Sequence, residues 1–194
     1  MKSLLMTTAV AALAATALTS TASADKYADV VTNFTIGANI DPLASHADPT
    51  RALGAWNSPA AGHAVTLGAG GTLTVEFLDN RLVDSTGDDL KIREHGGADD
   101  YMVEISADNT TYYSLGSKAG GASELFDINS VVIASGIDEF RYVRITDITE
   151  DGDTSNGAEI DYVFAQNSID APVPEPASLA LLGLGSLVII RRCK

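Results

Sequence analysis

Short runs in which apolar and polar residues alternate every second position constrain this chain more than any other feature. Leu73, Val75 and Phe77 fall on one side of such a run, and Thr74 and Glu76 on the other. Val103 and Ile105 oppose Glu104 and Ser106, and Val143 and Ile145 oppose Arg144. A period of two is that of a strand with one buried face, and a helix would not bury these positions together. The runs predict strands at 30–36, 64–67, 72–77, 90–94, 101–106, 111–115, 124–128, 131–134, 140–146 and 159–165. Turn-forming residues separate them: Gly68-Ala69-Gly70-Gly71, Ser85-Thr86-Gly87, Gly96-Gly97, Asp108-Asn109 and Asp151-Gly152. Many short strands with polar outer positions predict an all-β protein, an antiparallel β-sandwich.

Two apolar segments bracket this pattern. At the start, Lys2 precedes an alanine-rich stretch from Leu4 to Leu18, and Ala22-Ser23-Ala24 supplies small residues at the spacing a signal peptidase accepts. No acidic residue appears before Asp25. The reading is a helical signal peptide over 1–24, cut after Ala24; the alternative is an ordinary buried helix. At the other end, 171–194 forms a second address. Three prolines in Ala171-Pro172-Val173-Pro174-Glu175-Pro176 exclude regular helix and central strand. From Ala177 to Ile190 there are 14 uncharged residues, then Arg191, Arg192 and Lys194. As a helix the apolar run is about 21 Å long, short for a bilayer core of roughly 30 Å. The basic end stays cytoplasmic by the positive-inside rule. A transient membrane stop, with Arg191 and Arg192 as its tail, is the expectation; a plain C-terminal membrane anchor is the alternative.

The string VPEPASLALLGLGSLVIIRRCK resembles the PEP-CTERM sorting signal of Gram-negative bacteria. The resemblance implies processing by an exosortase at Pro174, Glu175 and Pro176. It also implies passage through the inner membrane to the cell surface or beyond, in the company of exopolysaccharide. The organisation is therefore a signal peptide at 1–24, a β-sandwich at 25–170 and a sorting signal at 171–194.

The chain has 12 basic and 26 acidic residues, and setting aside Lys2, Arg191, Arg192 and Lys194 leaves 8 basic. So anionic a domain repels nucleic acid and anionic lipid. It attracts divalent or organic cations, or is merely kept soluble by its carboxylates. The single cysteine is Cys193, so the exported domain holds no disulfide. His46, His63 and His95 lack paired metal spacing, and no Gly-x-Ser-x-Gly elbow occurs in the domain. With so many acids, pairs able to cleave glycosides arise by chance. No enzyme is expected.

The middle of the chain, from Gly71 to Ala165, is similar to galactose-binding-like, discoidin-related sandwiches of jelly-roll type. It carries this in Gly71-Thr72-Leu73-Thr74-Val75-Glu76-Phe77, Gly87-Asp88-Asp89-Leu90-Lys91-Ile92-Arg93-Glu94, Val103-Glu104-Ile105-Ser106-Ala107-Asp108 and Gly157-Ala158-Glu159-Ile160-Asp161. Where a proline commonly follows the alanine-leucine-glycine run, this chain has Ala55-Trp56.

Carboxylates gather in two stretches, one from Asp79 to Glu94 and one from Asp147 to Asp161. Calcium takes six to eight oxygen ligands from such loops. The resemblance implies a structural calcium, for which Asp89, Glu94, Glu159 and Asp161 are the candidate ligands; solvated turn residues are the alternative. For a sugar ring the candidate aromatics are Tyr112, Tyr113, Tyr142 and above all Trp56, whose alternative is a core plug beneath its loop. The function expected is a non-catalytic surface or matrix protein that binds polysaccharide. The competing readings are a structural surface protein without a small ligand and a secreted carbohydrate-active hydrolase.

Overall fold

The computed structural model describes residues 25–38, 47–55, 64–95, 99–149 and 157–172. The expected signal helix, the C-terminal apolar helix, Trp56, Pro174, Glu175, Pro176, Arg191 and Arg192 lie outside them. Among the described residues no helix is long and apolar enough to cross a membrane.

An antiparallel β-sandwich is observed. One sheet has five strands, in the order β1 (Val30–Thr35), β3 (Thr72–Glu76), β10 (Tyr142–Asp147), β6 (Tyr101–Ser106) and β7 (Tyr113–Lys118). Facing it are β2 (Val65–Thr66), β11 (Glu159–Ala165), β5 (Leu90–Glu94) and β8 (Ser123–Phe126). A third sheet, β12 (Ser168–Asp170), β4 (Asn80–Val83) and β9 (Glu139–Phe140), lies beside them. The alternation read from the sequence sets the packing: Leu73, Val75, Phe77, Val103, Ile105, Val143 and Ile145 are all fully buried. Leu90, Ile92, Val163, Leu82 and Phe140 from the other two sheets join the same core.

Strands β5, β6 and β11 have the expected bounds. Two differences have physical causes. Val131–Ala134, expected as a strand, lies within helix α1 (Asn129–Ser135). Four apolar residues in a row carry no period, and the deciding signals flank them. The Asp127 carboxylate accepts the Asn129 N–H at 2.8 Å, and Gly136 closes the helix at φ 70°. Strands β4 and β12 escape prediction because their sequences, Asn-Arg-Leu-Val and Ser-Ile-Asp, are too polar and short. They pair through Arg81 with Ile169 and Asn80 with Asp170. Past β12, the Ala171 N–H donates to the Asp79 carbonyl at 2.7 Å, and Ala171 is buried.

Glycine is required at the Gly68–Gly71 turn. Gly68 and Gly70 have φ near +73° and +74°, and a Cβ on Gly71 would collide with the Leu67 carbonyl. This turn joins β2 to β3 and accepts the Asp147 N–H at the Gly71 carbonyl, 2.9 Å away.

Candidate functional site

The four expected metal ligands divide. Asp89 stands just before β5 and Glu94 at its far end, about 16 Å apart at roughly 3.3 Å per residue, so one ion cannot hold both. Asp89 is fully buried and its oxygens are already used. Oδ1 accepts from the Ser85 N–H at 2.9 Å and the Asn167 amide at 2.8 Å, and Oδ2 from the Ile128 N–H at 3.1 Å. It is a buried loop fastener, and any ion that it touched would be a different one from an ion at Glu94. Asp147, which opens the second acidic stretch, has the same role. It is buried, and its carboxylate accepts from Thr149 at 2.8 Å and from Ala158.

Glu94, Glu159 and Asp161 stay at one end of the second sheet, where Glu94 lies opposite Ile160 and a register irregularity falls between Ile160 and Tyr162. Glu94 is 1% exposed. Its Oε2 accepts the Gly121 N–H, while Oε1 is sealed and has no hydrogen-bond partner. Burial pushes this carboxyl up to about 7; the Gly121 N–H works against the shift, and the charges of Asp99 and Glu159 add to it. An orphaned buried oxygen calls for a proton or a cation, but the carboxylate oxygens of Glu94, Glu159 and Asp161 do not all lie within 4.8 Å of one another.

Among the described residues one trio brings carboxylate oxygens within 4.8 Å of one another: Asp84, Asp89 and Asp127. Composition alone did not single out Asp127, because its position at the mouth of α1 depends on the helix that was expected as a strand.

The aromatic candidates also separate. Tyr113 packs against the core, edge-on to Phe140 with ring centroids 6.5 Å apart. Tyr142 lies on the outer face of the five-stranded sheet, and Tyr112 joins it there through Arg144. Tyr142 pairs across the strands with Glu76 and Ser106, and Arg144 with Thr74 and Glu104. The Arg144 guanidinium rests 3.8 Å from the Tyr112 ring centroid and meets Glu104 Oε2 through Nε and a terminal nitrogen, each at 2.7 Å. Arg141 pairs with Glu76 and lies 5.7 Å from the Tyr142 ring.

A tight turn places Tyr112. The Asp108 carboxylate accepts the N–H groups of Thr110 and Thr111 at 2.9 and 2.8 Å. These bonds hold Asp108 well below the usual carboxylate range. Asn109 takes a left-handed φ of 62° and accepts the Tyr112 hydroxyl proton. Two tyrosines and two neutralised Arg–Glu pairs thus form a patch of balanced charge on an acidic domain. The sequence signal for it was available: the polar, outward positions of the alternating strands.

Residues 172–194 match the PEP-CTERM protein-sorting motif, which marks an exported protein sorted to the cell surface through processing by an exosortase. No curated protein matches the chain. Among solved structures, the C-terminal domain of a chitobiase from Bacteroides fragilis is similar, with 12% identity and a TM-score of 0.41 over 73% of this chain and 94% of that one. CBM32-1 from a family 31 glycoside hydrolase from Clostridium perfringens is similar with 13% identity and a TM-score of 0.37, over 62% and 85% respectively.

Proposed function

We propose that this exosortase-sorted protein is a non-catalytic surface or matrix component whose sandwich contacts polysaccharide. The observation that carries the sorting is the motif at 172–194, which begins two residues after β12 ends. Signal peptidase cuts after Ala24, and the exosortase recognises Pro174, Glu175 and Pro176, with Arg191 and Arg192 held back at the membrane. Mass spectrometry of the mature protein from native cells should find Asp25 at its start and Cys193 missing. Intact Cys193 on mature protein in the inner membrane overturns the sorting reading.

The glycan contact rests on the charge-balanced outer face and on Trp56. Tyr112 and Tyr142 offer ring faces to a sugar, and the Arg–Glu pairs beside them offer hydrogen bonds to hydroxyls. Trp56, next after Ala55 in the sequence, is the further aromatic candidate. The commitment of buried Asp89 and Asp147 to backbone N–H groups supports the non-catalytic reading. On a glycan array, saturable binding that Trp56→Ala or Tyr142→Ala abolishes supports the contact. Binding that neither substitution changes refutes it. The absence of any binding favours a structural surface protein, a reading to which the internal Arg–Glu pairing of the face also lends support.

A structural calcium, in this reading, would have to draw the carboxylates of Glu94, Glu159 and Asp161 closer together than they stand. When bound it would supply positive charge beside the orphaned Glu94 oxygen and join β5 to β11.

A further inference from the structure

Three aspartates gather where the segment before β1 runs from β11 toward the turn that opens β4. Backbone bonds pin this segment. Tyr27 bridges to Phe164 of β11, and the Lys26 carbonyl accepts the Ala165 N–H at 2.8 Å. Ala28 donates to Val163 at 3.0 Å and Asp29 to Glu76 at 2.9 Å. The Asp29 carboxylate accepts the Leu78 N–H at 2.6 Å, next to Asp79 in the chain. Asp25 brings a third carboxylate, which accepts the Tyr27 N–H at 2.9 Å. Burial first, and then the charges of Asp29 and Asp25, raise the Asp79 carboxyl.

The neighbouring cations are engaged elsewhere. Lys26 Nζ donates to the Gln166 carbonyl at 2.7 Å, Arg81 to those of Phe77 at 2.9 Å and Leu78 at 3.4 Å, and Arg141 pairs with Glu76. On β12, Asp170 stands across from Asn80 and adds a further acid. What does favour the Asp79 carboxylate is a hydrogen bond from the backbone nitrogen of Asp25. While Ala24 precedes it, that nitrogen is a neutral amide. Hydrolysis of the Ala24–Asp25 bond adds one water: Ala24 leaves as a carboxylate, and the same nitrogen becomes an α-ammonium.

We propose that removal of the signal peptide creates an ion pair between the α-ammonium of Asp25 and the carboxylate of Asp79, so that processing itself fastens the N-terminal segment to the domain. The pair depends on the cleavage after Ala24 proposed above. A charged donor on a carboxylate is roughly twice as strong as a neutral one, and here it also offsets the crowding of Asp25, Asp29 and Asp79. The Asp79 carbonyl accepts the Ala171 N–H at 2.7 Å, so both ends of the domain converge on this residue.

The test takes the chain from Asp25 to Lys194 in non-ionic detergent, with its α-amine free or acetylated. The rate at which an acylating reagent labels the free α-amine, followed against pH, should place its pKa about one unit above the ordinary 7.7–8.0 or so. In Asp79→Asn it should return to that range. Acetylation should lower the Tm by about 2–4 °C, and by less than half as much in Asp79→Asn. Asp138→Asn, which removes the same charge from an exposed site before β9, should leave both readouts unchanged. An α-amine that titrates in its ordinary range overturns the ion pair, as does an acetylation effect of equal size in Asp79→Asn. N-terminal sequencing of the mature protein from native cells tests the cleavage separately. A start other than Asp25 overturns that reading, and with it the coupling to processing, whatever the chain cut at Asp25 does in vitro.

Discussion

The carboxylate of Asp89 reaches across to the backbone N–H of Ile128, 39 residues along the chain and 3.1 Å away, and holds the mouth of α1 against the start of β5. With Ser85 and Asn167 also donating to it, one buried side chain ties three segments together. Asp89→Ala leaves those donors without an acceptor in a dry site. It should cost roughly 3–5 kcal/mol, measured by urea unfolding. A loss below about 1 kcal/mol would mean that water replaces the carboxylate.

Glu94 makes stability depend on pH in a direction opposite to most acids. Its folded value of about 7 lies above its ordinary 4.5. Between these values the unfolded chain has released its proton while the folded chain keeps it, so stability falls as pH rises. The full loss, about 3 kcal/mol, is reached just above pH 7. Denaturant midpoints in chelator from pH 4 to 8 should decline for the wild type and flatten over this window in Glu94→Gln. Parallel curves for the two proteins would rule the effect out.

Calcium would alter the same measurement. Added after chelation, it should raise the Tm by several degrees through Glu94, Glu159 and Asp161. The rise should disappear in Glu94→Gln and persist in Asp127→Asn. An unchanged Tm removes the ion from the account.

At the Gly68–Gly71 turn, Gly71→Ala drives a methyl into the Leu67 carbonyl and should destabilise the fold by about 2–3 kcal/mol. Gly116→Ala meets nothing within 4 Å, so it reports only the cost of its left-handed φ of 94° and should be the milder change. The two melting temperatures, compared directly, decide the matter.

How far the sequence reveals the molecule follows from which forces act locally. Alternation at Val103-Glu104-Ile105 and at Val143-Arg144-Ile145 predicts both the strands and their buried faces, because burying one face is what selects the period. Leu90–Glu94 and Glu159–Ala165 are found with their exact ends for the same reason. The helix over Val131 was obscured because four adjacent apolar residues fit either element. Its ends are marked by Gly136 and by the Asp127 carboxylate. Composition reveals the Asp89 carboxylate and conceals its donors, which come from Ser85, Ile128 and Asn167. The outer-face ladder was half legible. Tyr142 and Tyr112 stood out as aromatics, but the pairing of Arg144 with Glu104 depends on a register that only the folded sheets define.

The bond from Ala171 to Asp79 has a mechanical consequence. Tension arriving from the sorting tail meets the domain first at that single clasp, and next at β12, an edge strand of three residues. An edge strand under such a load yields one pair at a time, so a tug would peel β12 away before it stressed the sheets that enclose the core. Wherever the domain is held by that end, the three-residue edge strand is its first element to give way.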